Sequence, residues 1–149
     1  MNMTTIRKNA IVPYTDRQMF ELVNDIEAYP RFLPWCHRSK VLDRQNKEIV
    51  ATLEIEWKGI RKEFTTCNRL YPYGRMEMGL VKGPLRKLNG IWLFESLSDK
   101  SACKVSLDLE FEMSGHFLDR LLHPIFHHMA NTLVDAFCKR AMELYGSPE

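Results

Sequence analysis

The hydrophobic and polar positions divide the chain into a long tract with a period of two, followed by a tract with a period near 3.6. Between Glu48 and Lys58, Ile49, Ala51, Leu53, Ile55 and Trp57 alternate with Glu48, Thr52, Glu54, Glu56 and Lys58. That pattern marks a strand with one buried face and one wet face. Gly59 turns the chain into a second strand, Ile60 to Tyr71, where Ile60, Phe64 and Leu70 alternate with Arg61, Glu63 and Arg69. Pro72-Tyr73-Gly74 is a turn signal. Arg75 to Val81 then carries Met76, Met78 and Leu80 in register, and Lys87 to Leu97 carries Trp92 and Phe94. Beyond the loop Ser98-Asp99-Lys100-Ser101, Cys103, Val105, Leu107, Leu109, Phe111 and Met113 face one way, and Lys104, Asp108, Glu110 and Glu112 the other. Short turns between strands predict antiparallel pairing.

Upstream, Thr4 to Val12 reads as a first strand, ended by Pro13-Tyr14. Thr15-Asp16-Arg17-Gln18 is a capping box for a short helix whose apolar face is Met19, Phe20, Leu22, Val23 and Ile26. Ile26 to Leu33 holds a second short helix that Pro30 and Pro34 keep from extending. Downstream, from about His116 to Tyr145, Leu118, Leu121, Leu122, Ile125, Met129, Leu133, Phe137, Ala141 and Leu144 recur at spacings of three and four. Pro124 predicts a kink, or a break after Leu122, and Gly146 with Pro148 supplies the terminator. At 1.5 Å per residue this helix runs roughly 40–45 Å, so its stripe must lie across the apolar face of the sheet. The expected fold is α+β: one domain over residues 1–149, a curved antiparallel sheet wrapped around a long C-terminal helix.

Hydrophobic residues make up 45% of the chain and charged residues 27%, which excludes disorder. Eight Phe, five Tyr, three Trp and eight Met fit either a well-filled core or the lining of an accommodating apolar cavity. No run reaches the roughly 18–20 apolar residues of a membrane helix, and the first residues lack the apolar core of a signal peptide. The expected location is the cytoplasm. There Cys36, Cys67, Cys103 and Cys138, far apart and without metal-type spacing, are expected as free thiols. A formal net charge of +2 and a pI near 8.4 are too weakly basic for autonomous nucleic-acid binding, and DNA is not an expected partner.

The residues that carry chemistry point away from catalysis. His123 and His127 are spaced i, i+4, with His128 adjacent, but Pro124 stands where a zinc protease needs Glu. No metal and no cofactor is expected. Cys36 and His37 are neighbours, which an extended strand points to opposite faces, and no Gly-x-Ser-x-Gly elbow occurs. Glu54, Glu56, Asp108, Glu110 and Glu112 lie opposite the apolar register of their strands, where water makes them poor general acids. The expectation is a binding protein rather than an enzyme.

Lys62, Thr66 and Asn68 share parity with Ile60, Phe64 and Leu70. A buried polar group without a partner costs about 1–3 kcal/mol. These three either pair with one another, with water or with the rim, or they orient a ligand head group inside an apolar cavity. The candidate ligand site joins them to Leu53, Ile55, Phe64, Met78, Trp92 and Phe94 of the sheet and to Met129, Leu133 and Phe137 of the helix. Trp35 is expected on an exposed turn between Pro34 and Cys36, as a gate at the cavity mouth. Lys82, Arg86 and Lys87 share one basic loop, either simply solvated or able to touch phosphates.

Two stretches resemble a known family. Residues 22–36, Leu-Val-Asn-Asp-Ile-Glu-Ala-Tyr-Pro-Arg-Phe-Leu-Pro-Trp-Cys, and Gly83 to Phe94 are similar to the coenzyme Q-binding branch of the START-like (polyketide cyclase) superfamily. In the second block the branch has Gly-Pro-Phe and then Gly-x-Trp-x-Phe; here Leu85 replaces the first Phe. Phe64-Thr65-Thr66-x-Asn68 and the run Leu107 to Phe111 agree as well. The resemblance implies a helix-grip fold with a hydrophobic cavity and no catalytic residues. It further implies binding of ubiquinone or a similar isoprenoid lipid, as a carrier or chaperone for respiration or quinone biosynthesis, with transient peripheral membrane contact. Quinone carbonyl and methoxy oxygens suit Asn, Thr and Lys donors. The branch also includes bacterial ribosome association toxins. The second reading is therefore a protein that binds the large ribosomal subunit and blocks subunit joining, with Lys82, Arg86 and Lys87 as contacts.

Overall fold

Seven strands, β1 (Thr4–Val12), β2 (Cys36–Gln45), β3 (Glu48–Trp57), β4 (Ile60–Tyr71), β5 (Arg75–Lys82), β6 (Leu85–Ser96) and β7 (Cys103–Met113), form one antiparallel sheet in the order β1-β7-β6-β5-β4-β3-β2. The computed structural model describes residues 3–98, 100–113 and 115–146; Asp99, Pro148 and the side chain of Leu118 lie outside the described residues. Between β1 and β2 the chain forms α1 (Asp16–Asn24) and a 3-10 helix (Ile26–Arg31), and α2 (His116–Tyr145) follows β7. Because β1 and β2 are the two sheet edges, α1 and the 3-10 helix carry the chain from one edge to the other. The expected capping box is present: the Gln18 amide donates to Thr15 Oγ1 (3.0 Å), and the Thr15 amide donates to Gln18 Oε1 (2.8 Å). Lys58 and Gly59 both take positive φ (50° and 83°), the two-residue turn that matches strand twist.

Alternation along the strands becomes rows across the sheet. Ile49, Asn68, Met78, Gly90 and Leu109 are successive partners on β3, β4, β5, β6 and β7. Leu70, Met76, Trp92 and Leu107 form a second row. α2 covers the apolar face, with Leu122, Ile125, Phe126, Met129, Ala130, Val134, Phe137 and Ala141 buried. Its far end is held by the Tyr14 hydroxyl, which donates to the Gly146 carbonyl (2.8 Å).

The structure departs from expectation in three places. No strand is expected at β2, an edge strand that is mostly exposed and has register shifts at Cys36/Arg38 and Val41/Asp43, so it carries no clean alternation. Of the two outcomes expected at Pro124, the break is absent: α2 runs from His116 to Tyr145 with Pro124 inside it. Pro124 is exposed, so water can take the hydrogen bond it forfeits while Leu122, Ile125 and Phe126 bury beside it. Finally, Leu121 and Leu144 are 38% and 51% exposed, and Phe126, Ala130 and Val134 complete the buried stripe instead. Among the described residues no helix is long and apolar enough to cross a membrane.

The β5–β6 turn depends on one glycine. Gly83 has φ +154°, and a Cβ there would lie 2.6 Å from Phe64 Cβ and 3.1 Å from its Cα. Backbone on the neighbouring strand cannot give way as a side-chain tip does. Gly83→Ala is therefore expected to lose about 1–3 kcal/mol. Gly79→Ala, on the same strand pair with open space around its Cα, should shift stability by less than about 1 kcal/mol. Urea unfolding of the two variants checks the contrast.

Candidate functional site

The cavity lies where β3–β7 face the middle of α2, and Gly90 of β6 lets two of its lining side chains come together. A Cβ on Gly90 would meet Met78 Cε at 2.5 Å and Leu109 Cδ1 at 2.9 Å. Glycine lets both side chains lean over β6, where they line a hollow of about 80 Å³ between sheet and helix. Ile26 and Tyr29 close one side from the 3-10 helix, with Trp35 beside them, and Phe126, Met129, Ala130 and Leu133 form the helical wall. The Tyr29 hydroxyl donates to the Val23 carbonyl. Burial pushes its pKa above the ordinary tyrosine value, so it stays a neutral donor.

Thr66 and Asn68 stand out against this apolar lining. Both are buried on β4 and face the cavity. The Thr66 hydroxyl donates to Asn68 Oδ1 (3.1 Å), so the amide acceptor is engaged and its N–H donors are what the pair offers a ligand.

Of the residues expected at this site, Trp35, Leu53, Phe64, Thr66, Asn68, Met78, Trp92, Met129 and Leu133 line the cavity. Four do not. Lys62 is exposed: β5 ends at Lys82, which pairs with Thr65, so Lys62 has no strand neighbour on that side and its long side chain reaches water. Ile55 is buried but paired with Lys62. Phe94 packs under α1 against Phe20 (ring centroids 5.6 Å). Phe137 is wedged among Trp92, Tyr29 and Phe32 at 5.3–5.4 Å. Sequence reasoning missed Ile26, Tyr29, Ala51, Leu88, Leu109, Phe126 and Ala130 as lining residues. Register was the available signal for Leu88 and Leu109, which share the inward parity of Trp92 and Leu107.

Trp35 is also not on an exposed turn. It is 3% exposed, and its carbonyl accepts from the Glu56 amide (2.9 Å), tying the segment to β3. Trp35 is common to the linings of the inner cavity and of an outer groove of about 520 Å³. The inner cavity is far below the roughly 300–1,000 Å³ typical of small-molecule pockets.

Other reactive side chains do not converge. The Cys36 thiol is pushed up to about 12, mainly by burial, and donates to the Arg38 carbonyl (3.6 Å), which makes it a poor nucleophile at neutral pH. His37 instead faces Glu54 and Glu56, at 3.7 and 3.4 Å. His123 hydrogen-bonds the Thr4 hydroxyl (2.8 Å), and His128 packs on Trp57 (4.6 Å). Among the described residues there is no cluster of three His, Cys, Asp or Glu able to hold a metal. On the outside, Lys82, Arg86 and Lys87 are all exposed at the β5–β6 turn. Lys58 and Lys62 are exposed on the adjacent β3–β4 hairpin at the same end of the sheet, which enlarges the basic surface.

The shared position of Trp35 makes a direct expectation. Trp35→Ala should cost about 3–5 kcal/mol as a buried aromatic truncation. In the folded variant, stopped-flow association of a small apolar fluorophore should be several-fold faster, because the side chain common to both linings is then removed; Trp35→Phe should fall between. An unchanged rate in both would place the entrance elsewhere.

Comparison with known proteins gives this architecture a lineage. The chain is 45% identical over 143 residues to "Ribosome association toxin RatA" of Pseudomonas aeruginosa, covering 96% of this chain and 99% of that protein. It is 26% identical to "Coenzyme Q-binding protein COQ10 homolog B, mitochondrial" of Xenopus laevis, over 95% of this chain and 59% of that longer protein. Among solved structures, the Zhui aromatase/cyclase of Streptomyces sp. R1128 superposes with a TM-score of 0.82 at 14% identity, covering 94% of each chain, which shows the START-like fold. The family model for polyketide cyclase/dehydrase and lipid transport matches residues 12–138. The chain belongs to the polyketide cyclase/dehydrase and lipid transport family.

Proposed function

We propose that this chain is a ribosome association toxin, which binds the large ribosomal subunit through a basic surface and blocks subunit joining. The observation that carries the reading is the 45% identity, across 96% of the chain, to a protein of that name. The coenzyme Q-binding relative matches at 26% and over 59% of its length, so the order in which the sequence alone ranked the two readings is reversed. Exposed Lys82, Arg86 and Lys87, with Lys58 and Lys62 beside them, supply charge that ribosomal RNA phosphates would meet.

Phosphate contacts release counterions. Three such contacts are expected to weaken binding about 20–40-fold between 50 and 200 mM salt. Charge reversal at Lys82, Arg86 and Lys87 should flatten that dependence and reduce co-sedimentation with large subunits at low salt. Wild-type sedimentation that ignores salt, or a triple variant that binds as well as wild type, would remove this loop from the interface. No sedimentation at any salt would remove the reading itself.

A second reading is favoured by a separate observation, the buried Thr66–Asn68 pair on an otherwise apolar wall. We propose that the cavity takes the head of an apolar ligand, ubiquinone or a related isoprenoid lipid, loaded during transient contact with a membrane. Leu133→Trp and Met129→Trp fill the space from the helix side. Mass spectrometry of lipid extracted from the purified variants should find several-fold less than in wild type, at unchanged ribosome binding. Equal lipid in well-folded variants would place the ligand elsewhere.

A further inference from the structure

We propose that the outer groove beside Trp35 is an anion-selective head-group site for a single-chain amphiphile, with Arg140 as its anchor. This site lies outside the inner cavity and is independent of the apolar-ligand reading made of that cavity.

The groove runs between the link from the 3-10 helix to β2 and one stripe of α2. Its floor is apolar, from Phe32, Trp35 and Ala136, and its walls are charged. Arg31, Lys139 and Arg140 oppose Asp135 and Glu143, three cations against two carboxylates. The surplus favours an anion.

Arg140 is the group that lacks a proper partner. Its side chain is only 20% exposed, and its guanidinium lies over the Phe32 ring with Cζ 5.3 Å from the centroid. That stacking holds the planar fork in place. Nε is buried, without a hydrogen-bond partner among the described residues and out of reach of the groove, so the Nη end is what the side chain offers a ligand. Glu143 approaches Nη1 only to 3.6 Å, too far for a hydrogen bond, and is itself 52% exposed. A held, underused guanidinium matches a carboxylate or phosphate, whose two oxygens can meet two N–H donors at once. A neutral head group gains much less there. Anion at Arg140 and apolar floor beside Trp35 together describe an amphiphile: the head meets Arg140 and the chain lies along Phe32 and Trp35 within the groove, outside the inner cavity.

Calorimetric titration of the intact protein with dodecanoate, dodecanol and inorganic phosphate tests this, with thermal melts of each variant alongside. Dodecanoate should bind wild type at least tenfold more tightly than dodecanol. Arg140→Gln should erase that preference by weakening dodecanoate alone, and Arg140→Lys, which keeps the charge but loses the fork, should retain only part of it. Inorganic phosphate should bind at least a hundredfold more weakly than dodecanoate. Equal affinity for acid and alcohol in wild type, or an undiminished preference in Arg140→Gln, overturns the groove site and leaves the cavity reading standing. Phosphate binding as tight as dodecanoate overturns the amphiphile in favour of a free anion. If neither dodecanoate nor dodecanol binds wild type, the groove site is overturned, and the cavity reading is decided by the lipid extraction from the Leu133→Trp and Met129→Trp variants.

Discussion

The structure depends on how one face of the 30-residue α2 is held against the concave side of the sheet. Two aromatic clamps do the holding. Toward the C-terminal end, Phe137 sits edge-on to Trp92 and Tyr29; toward the N-terminal end, Phe126 packs on Phe64 and Phe111. Each such contact adds about 0.5–1.5 kcal/mol beyond the area it buries. Between the clamps the helix presents Met129, Ala130 and Leu133, and the sheet presents Gly90, Thr66 and Asn68. Large residues at both ends set the spacing, and smaller or polar ones in the middle fail to fill it. The cavity is a consequence of that spacing.

The same geometry separates the interior from the surface that carries the leading functional reading. The basic residues sit on hairpin tips at one end of the sheet, and the inner cavity lies under the helix beside Trp35. Phosphate recognition acts through screened charge, over a Debye length of roughly 8 Å at physiological salt. Burial of an apolar chain scales with area, at roughly 25 cal/mol per Å², and involves no counterions. A polyanion and an apolar ligand could thus act on one chain through different forces. Trp35 and Arg140 mark where the interior meets solvent, because both line the outer groove.

Much of this was legible in the residues. Alternation in β3 and β7, the Thr15–Gln18 capping box and the inward parity of Thr66 and Asn68 follow from rules that reach only a few positions along the chain. Family blocks around Pro34-Trp35-Cys36 and Gly90-Ile91-Trp92 drew attention to the segments that frame the cavity. Elements without such a local rule were not legible. β2 is an edge strand, free of the demand that one side face a core, so its sequence carries no alternation to read.

Side-chain direction was therefore determined by the sequence alone, and cover was decided by the tertiary structure. Lys62 and Thr66 lie on one strand with the same parity, yet one is exposed and the other buried, because β5 reaches Thr65 and stops. Trp92 and Phe94 point the same way from β6, but α1 covers Phe94 while the middle of α2 leaves space beside Trp92. Trp35 reads as an exposed turn residue until the 3-10 helix and α2 close over it. A period states which way a side chain points; whether anything waits there depends on residues a hundred positions away, brought close only by the packing of helix on sheet.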